Sequence, residues 1–205
     1  MEAMESKRDQ SERGYAPLTG KGSLANLQIQ RALKSAKMGD PDSFEIVVAK
    51  CNGIFASYIS RFHPTPQSQD LLQECYLQIW RSLSSYDDRL DPLPWLMTIV
   101  HRCCINGYRS KSKGAHIQIH EDHLGQNDLN HESTIELDEL IDTLSIEKRS
   151  VLLLVSVIGL TYEEASSVLD CPVGTIKSRM YAARRELLSA ISQSSASKTL
   201  GDVAR

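Results

Sequence analysis

The chain has 205 residues, of which 41% are hydrophobic and 24% charged, and its formal net charge at pH 7 is -3. This length allows one large domain or two small ones, and the apolar content is ordinary for a globular protein, which excludes a fibrous or wholly disordered chain. The negative net charge argues against indiscriminate nucleic-acid binding, because such binding needs many Lys and Arg residues to neutralise phosphates.

The sequence predicts neither a membrane span nor a secreted scaffold. The longest apolar run, from Val151 to Leu160, is interrupted by Ser156 and is far shorter than the roughly 20 residues that cross a bilayer. The first residues carry charges of both signs, unlike a signal or transit peptide. The five cysteines include no Cys-x-x-Cys and lack the framework of a disulfide-rich protein. We therefore expect a cytoplasmic protein with no membrane insertion.

Helical periodicity dominates the first half of the sequence. Turn residues close the first two predicted helices, at Gly39-Asp40-Pro41 and at His63-Pro64. The third has apolar side chains expected on a buried face and polar ones mostly on the other side. The predicted helices are Leu24–Met38, Ser43–Phe62, Asp70–Leu83 and Pro94–Ser110. The buried face of the third comprises Leu71, Leu72, Cys75, Leu77, Ile79 and Trp80, and its polar face comprises Asp70, Gln73, Glu74 and Gln78.

Charge divides the chain near its middle. There is no Asp or Glu between residues 95 and 120, whereas residues 121–147 include nine acidic side chains and no Lys or Arg. This inversion falls in a polar stretch, which is typical of a linker between domains. We therefore predict two domains, 24–113 and 135–193, joined by a flexible acidic linker at 114–134. The tails, 1–23 and 194–205, are expected to be disordered.

The second half of the sequence also shows only helical patterns. Its predicted helices are Glu136–Leu144, Ile146–Ile158, Thr161–Leu169 and Pro172–Ser192. No strand pattern or internal repeat is evident. The predicted fold class is therefore all-α, with two small helical domains: a helical bundle and a helix-turn-helix domain.

The most specific local pattern spans the last two of these helices. Thr161-Tyr162-Glu163-Glu164 matches a capping box, in which the Thr hydroxyl and the Glu164 carboxylate each accept from the other residue's amide. In the turn that follows, Asp170 holds the position usually taken by Gly, and Pro172 is pre-organised to begin the next helix. This spacing predicts a helix-turn-helix, whose second helix enters the major groove of DNA.

The second helix of this motif has two chemically different faces. There is no acidic residue between Pro172 and Arg185, and Lys, Ser and Arg donate to base edges or phosphates that would repel carboxylates. We predict that this face contacts DNA, the alternative being a solvated basic face on an ordinary helical hairpin. The residues expected to face the core are Val173, Ile176, Met180, Ala183 and Leu187, and those expected to face DNA are Lys177, Ser178, Tyr181, Arg184 and Arg185.

Several segments together resemble a known family. The stretch from Asp142 to Ile191, above all Cys171-Pro172-Val173-Gly174-Thr175-Ile176-Lys177-Ser178-Arg179, is similar to region four of the extracytoplasmic-function (ECF) sigma factors of the sigma-70 superfamily. Met38-Gly39-Asp40 with Phe44, Asp70-Leu71-Leu72-Gln73-Glu74 through Trp80, and Trp95-Leu96 before a basic helix resemble region two. The resemblance covers about three quarters of the chain in the right order. It implies a transcription initiation factor that is not an enzyme and needs no cofactor or metal.

For region two, the resemblance implies two contacts. The polar face with Asp70, Gln73, Glu74 and Gln78 would dock on the clamp helices of the largest subunit of core RNA polymerase, although a merely solvated face would look the same. Region two would also open the minus-ten promoter element, where separated bases stack on aromatics or enter pockets and cations hold the backbone. Trp95 is expected to pack in the core. The minus-ten candidates are Tyr86, Arg102, Asn106, Arg109, Lys111 and Lys113. Arg102 stands where the family commonly has Asn, and Asn106 stands where it often has Asp.

For region four, the resemblance implies recognition of the minus-thirty-five element, with a further contact to the polymerase flap. Lys177, Ser178 and Tyr181 would reach bases, with Arg184 and Arg185 on the same DNA-facing side. Pro172, Gly174 and Thr175 would touch phosphate at the helix N-terminus, where backbone amides and the helix dipole favour an anion. Many relatives are held inactive by an anti-sigma factor, so such a partner is expected as well as promoter DNA.

Three other functions compete with this interpretation. His116, His120 and His123 with neighbouring acids offer ligands for a metal sensor, but paired Cys spacing is lacking. A Cys and His enzyme is disfavoured because no Gly-rich turn or strand positions such a pair. A stand-alone helix-turn-helix repressor is the stronger rival, and it would bind its operator without polymerase.

Overall fold

The computed structural model describes residues 23–63, 67–112 and 139–202. Within these ranges every regular element is helical, in agreement with the predicted all-α class. Residues 1–22 of the predicted N-terminal tail, the linker predicted at 114–134, Lys113 and the three histidines of the possible metal site lie outside the described residues.

The N-terminal half forms a bundle of four helices, which packs α1 on α2, α2 on α3 and α3 on α4. Their ends lie within three residues of the predicted ones, and a 3-10 turn, Leu83–Ser85, separates the last two. The helices are α1 (Leu24–Lys37), α2 (Asp42–Ser60), α3 (Gln67–Arg81) and α4 (Pro92–Ser112).

Local signals fix the two ends of α1. The Ser23 hydroxyl accepts from the Asn26 amide at 3.2 Å, which caps the first turn. After the last turn, Gly39 adopts φ +99°, a conformation that glycine takes freely and other residues adopt only with strain. The chain therefore reverses within a few residues and begins α2 at Asp42.

The bundle encloses a continuous apolar core. Burial of such side chains contributes roughly 1.5–3 kcal/mol each, so the core accounts for the stability of the N-terminal half. Its largest fully buried members are Ile29, Leu33, Phe55, Tyr58, Ile59, Ile79, Tyr86, Leu96 and Met97.

The C-terminal half contains three principal helices: α5 (Ile146–Leu152), α6 (Tyr162–Leu169) and α7 (Val173–Asp202). Residues 139–142 are also helical. The predicted helix over Ile146–Ile158 is not uniform, because α5 runs into a π-helical turn at Leu153–Val157. There the Ile158 amide donates to the Leu153 carbonyl at 2.9 Å, five residues back.

The last helix is longer than predicted. The sequence predicts a helix that ends at Ser192 and a disordered tail over 194–205, but α7 continues to Asp202. The added stretch contains neither Pro nor Gly before Gly201, so no residue in it breaks the helical hydrogen-bond pattern.

Two further features concern the whole molecule. Among the described helices, none is long and apolar enough to cross a bilayer. The two halves are in contact, because α6 packs against α4 and Arg149 of α5 donates to the carbonyl of Arg61 at the end of α2.

Candidate functional site

The capping box predicted from sequence is present at the start of α6. The Glu164 amide donates to Thr161 Oγ1 at 3.2 Å, and the Thr161 amide donates to Glu164 Oε2 at 2.9 Å. These two bonds satisfy amides that would otherwise lack partners at the helix N-terminus. They fix where the first helix of the helix-turn-helix begins.

The turn between α6 and α7 has the expected left-handed residue. Asp170 adopts φ 49° and ψ 52°, a region where Asp and Asn are the best tolerated residues after Gly. The Cys171 amide donates to the Ser166 carbonyl at 3.2 Å, and the Ser166 hydroxyl donates to the Cys171 carbonyl at 2.6 Å. This closed turn sets the angle at which α7 leaves α6.

The two faces of α7 separate as predicted. Ile176, Met180 and Ala183 are buried, while Val173 and Leu187 are half-buried at the edge of the core. The side chains predicted to face DNA are exposed to solvent: Lys177, Ser178, Tyr181, Arg184 and Arg185. The Tyr181 ring, at 69% exposure, has an apolar surface that no core contact explains, which is typical of a residue that meets a partner.

The N-terminal end of α7 is open as well. Pro172 and Gly174 are exposed and Thr175 is half-buried, and a Cβ added at Gly174 would meet nothing within 4 Å. A helix N-terminus with this access can approach a phosphate through its backbone amides. The helix therefore presents polar donors along its outer face and amides at its tip.

A second cationic surface lies on α4. Arg102 and Asn106 are exposed and stand one helical turn apart, which places them on one side of the helix. Arg109 and Lys111 belong to the last turns of α4, while Lys113 lies beyond the described residues. No acidic residue occurs in α4, so the helix offers donors and cations without competing carboxylates.

Tyr86 does not belong to this surface, which corrects the sequence prediction. Its side chain is 1% exposed, its ring lies 4.9 Å from the ring of Trp95, and its hydroxyl donates to the Leu90 carbonyl at 3.1 Å. Burial, together with the nearby Asp91 carboxylate, raises the pKa of the Tyr86 phenol to about 12. A ring held in this way cannot stack on a base. Trp95 packs against the core, as expected.

The loop that contains Tyr86 is fastened to α1. The Gln30 side chain donates to the Asp88 carbonyl at 2.8 Å, Lys34 forms an ion pair with Asp88 at 2.9 Å, and Lys37 donates to the Tyr86 carbonyl. The ammonium of Lys34 holds the pKa of Asp88 below its ordinary value. The loop is thus ordered and acidic, which disfavours contact with phosphates.

The polar face predicted on α3 lies at the surface. Asp70, Gln73 and Glu74 are exposed, and Gln78 is half-buried. The Gln78 amide donates to the Glu74 carboxylate, which also forms an ion pair with Arg81 at 3.8 Å. Apart from these local bonds, the face is accessible to a partner.

Two apolar residues on α3 are also exposed, contrary to the sequence prediction. We expected Leu77 and Trp80 on the buried face, but they are 49% and 40% exposed. A step of two residues rotates about 200° around a helix, so Leu77 lies opposite the buried Cys75. Trp80 is held by the ring of Phe44 at 5.2 Å. The outer face of α3 therefore has apolar residues within a polar rim, a composition typical of protein interfaces.

Three of the five cysteines, Cys51, Cys75 and Cys104, are buried thiols. Burial raises the pKa of Cys51 to about 12, and a protonated thiol is a poor nucleophile. The interaction with the neighbouring Cys103 thiol, together with burial, raises the pKa of Cys75. Across residues 23–63, 67–112 and 139–202, no three His, Cys, Asp or Glu side chains are placed to hold a metal ion.

Comparison with known proteins identifies the family of this chain. The family model described as Sigma-70 region 2 matches residues 54–114, and that described as Sigma-70, region 4 matches residues 134–187. The chain is 28% identical over 166 residues to ECF RNA polymerase sigma factor SigK of Mycobacterium ulcerans, covering 76% of this chain and 89% of that protein. It is also 28% identical over 174 residues to the ECF RNA polymerase sigma-E factor of Escherichia coli K12, covering 77% and 91%.

Two solved structures share the fold. The structure of CnrH in complex with the cytosolic domain of CnrY matches with a TM-score of 0.65 and 20% identity, over 81% of this chain and 98% of that one. The sigma factor RpoE of Bartonella quintana, solved with the anti-sigma factor NepR, matches with a TM-score of 0.63 and 22% identity, over 73% and 96%. With both characteristic regions matched in the same order, this chain belongs to the sigma-70 family, in its extracytoplasmic-function group.

Proposed function

We propose that this chain binds core RNA polymerase in the cytoplasm and directs it to specific promoters, as a non-catalytic initiation factor. The observation that carries the proposal is the exposed, acid-free outer face of α7 on an ordered helix-turn-helix. We assign residues 24–113 to region two and residues 135–193 to region four, with 114–134 as the linker between them.

Region four reads the minus-thirty-five element in this proposal. Lys177, Ser178 and Tyr181 contact base edges in the major groove, since they lie in the second and third turns of α7 and are exposed. Arg184 and Arg185, one turn further on, neutralise phosphates. The open N-terminus at Pro172, Gly174 and Thr175 receives another phosphate.

Region two meets the minus-ten element through α4. Arg102 and Asn106 are exposed and lead toward Arg109, Lys111 and Lys113 in the sequence. Such a row of donors and cations suits the backbone and exposed bases of a separated strand. Tyr86 is left out of this assignment because its ring is buried.

The polymerase contact is assigned to the outer face of α3. Asp70, Gln73, Glu74 and Gln78 supply the polar rim, and Leu77 and Trp80 the apolar area. Buried aromatic residues commonly contribute most of the binding energy at such a surface. We assign this face to the clamp helices of the largest polymerase subunit, and a further contact of region four to the flap.

An anti-sigma factor controls the chain in this proposal. The support comes from the matched structures, which contain CnrH with the cytosolic domain of CnrY and RpoE with the anti-sigma factor NepR. Such a partner would act by covering one or more of the surfaces that meet polymerase and DNA.

The test is a mobility-shift experiment on a promoter duplex with the chain alone, core polymerase alone and both together. We expect a specific complex only when both are present, because the chain's net charge of -3 provides little general affinity for DNA. Tight, sequence-specific binding by the chain alone would instead indicate a helix-turn-helix repressor, and no specific complex in any mixture would reject the proposal.

A further inference from the structure

One side chain of region four reaches across to region two. Arg149 on α5 donates through Nη1 to the carbonyl of Arg61, the C-terminal cap residue of α2, at 2.9 Å. Its guanidinium carbon lies 5.9 Å from the centre of the Phe62 ring. A cation over an aromatic face is attracted to it, most strongly where water is excluded. Arg149 thus binds the end of α2 by two different interactions.

The contact around Arg149 is closed to solvent. The Arg149 side chain is 13% exposed, and the neighbouring Ser150 is 2% exposed. The phenol of Tyr58, which is fully buried in region two, is 2.9 Å from His101 Nδ1. Together with the packing of α6 on α4, these contacts join the two regions into one buried interface.

This closed arrangement is incompatible with simultaneous contact to both promoter elements. The two elements are centred about 25 base pairs apart, or about 85 Å at roughly 3.4 Å per base pair. Regions that pack directly against each other cannot lie on two sites separated by that distance. The outer face of α7, which is proposed to contact DNA, remains exposed in this state. Closure therefore limits the distance between the two regions and does not cover the DNA-contacting face.

We propose that Arg149 is a latch that holds region four against region two in the free chain and must release before the chain can occupy a promoter with polymerase. The effect on polymerase and promoter binding rests on the proposed function, whereas the closed state itself is a property of the isolated chain. Polymerase then binds only the open chains, so the measured affinity equals the affinity of the open state multiplied by the fraction of chains that are open.

Arg149 keeps an ion-pair partner when the two regions separate. Arg149 also forms an ion pair with Asp142 Oδ1 at 2.9 Å, a contact within region four, and Asp142 is half exposed. The guanidinium therefore keeps a partner after the regions separate. In the closed state its Nε is buried and has no hydrogen-bond partner among the described residues, a cost that keeps the closed state from becoming too stable to open.

The first experiment measures the radius of gyration of the full chain alone by small-angle X-ray scattering, for wild type, Arg149→Gln and Arg31→Gln. Arg31 is an exposed cation on α1, so its substitution is a matched control for loss of one positive charge. We expect Arg149→Gln to enlarge the radius by several ångströms (an increase on the order of 5 Å), since separated domains extend further than packed ones. The control should not change it.

The second experiment measures the affinity of the same proteins for core polymerase. Arg149→Gln should bind roughly three- to tenfold tighter than wild type, because the open state is more populated. If Arg149→Gln loses its cooperative thermal transition, Arg149→Lys replaces it, since Lys keeps a positive charge beside Asp142 but lacks the planar guanidinium that contacts both the Arg61 carbonyl and the Phe62 ring.

The outcomes separate the latch from the proposed function. A folded Arg149→Gln or Arg149→Lys protein with the radius and polymerase affinity of wild type overturns the latch. A larger radius without any polymerase binding, in wild type or variant, supports the latch and rejects the sigma-factor proposal. A larger radius with unchanged polymerase affinity also overturns the latch, because closure would then not limit binding.

Discussion

Lys177 carries an exposed positive charge in the second turn of α7. If it donates to a base edge, Lys177→Ala should weaken binding of the holoenzyme to its promoter by about 1–3 kcal/mol; if it holds a phosphate, the salt dependence should fall by about one unit of slope. A titration of promoter duplex at several salt concentrations measures both quantities.

The matched control for Lys177 is Lys50→Ala, which removes an exposed ammonium from α2, away from the helix-turn-helix. It should leave both the affinity and the slope unchanged. Equal effects of the two substitutions would show that only the general charge of the chain matters, and no effect of either would remove Lys177 from the interface.

His101 predicts a dependence of stability on pH. Its burial, and secondarily the charge of Arg102, lowers its pKa from 6.5 to about 4. Between these values the unfolded chain binds a proton and the folded chain does not, so the free energy of unfolding falls as pH falls from 6.5 toward 4. The decrease from this group should be at most about 1.4 kcal/mol per pH unit.

Urea unfolding of wild type and His101→Gln at about pH 6.5, 6 and 5.5 measures this contribution. These pH values lie above the range in which ordinary Asp and Glu side chains titrate. The variant should show a flatter dependence on pH, since Gln does not titrate. Parallel curves for the two proteins would mean that His101 is not the group responsible.

At the scale of single elements, α6 depends on its capping box. Thr161→Ala removes the hydroxyl that accepts from the Glu164 amide and should lower the free energy of unfolding by about 1 kcal/mol. Ser167→Ala is the control, because its hydroxyl donates only to the Glu163 carbonyl on an exposed face and its loss should change stability by less than about 0.5 kcal/mol. Equal losses in the two variants would contradict the capping role.

The helix-turn-helix could be predicted from sequence because local chemistry specifies it. The bonds between Thr161 and Glu164 span three residues, the left-handed turn falls on Asp170, and Pro172 precedes α7. Each of these signals depends only on neighbours in the chain. The separation of α7 into a buried and an exposed face then follows from helical spacing.

Other elements were harder to predict because their surroundings are not local. Leu77 and Trp80 are hydrophobic, which suggested a buried face, yet the rotation of α3 brings them to the surface. Tyr86 lies in a polar loop, which suggested exposure, yet its ring packs on Trp95. The extension of α7 past Ser192 does not follow from the sequence, because a segment of polar and small residues is typical of disorder.

At the scale of the whole molecule, the contact between the two regions could not be anticipated from sequence. Arg61 and Arg149 are 88 positions apart, and no pattern in the chain pairs two arginines. The charge inversion near the middle predicted a boundary between domains, and the two matched family regions lie on either side of it. How the regions meet depends on tertiary packing alone.

Promoter-specific transcription tests the central claim most directly. Purified core polymerase should be supplied with fragments of the source genome as template, with and without this chain, and the 5′ ends of the products mapped. The account predicts discrete start sites that require the chain and that weaken with Lys177→Ala. Products that are the same with and without the chain, under conditions where a known sigma factor restores specific initiation, would contradict it.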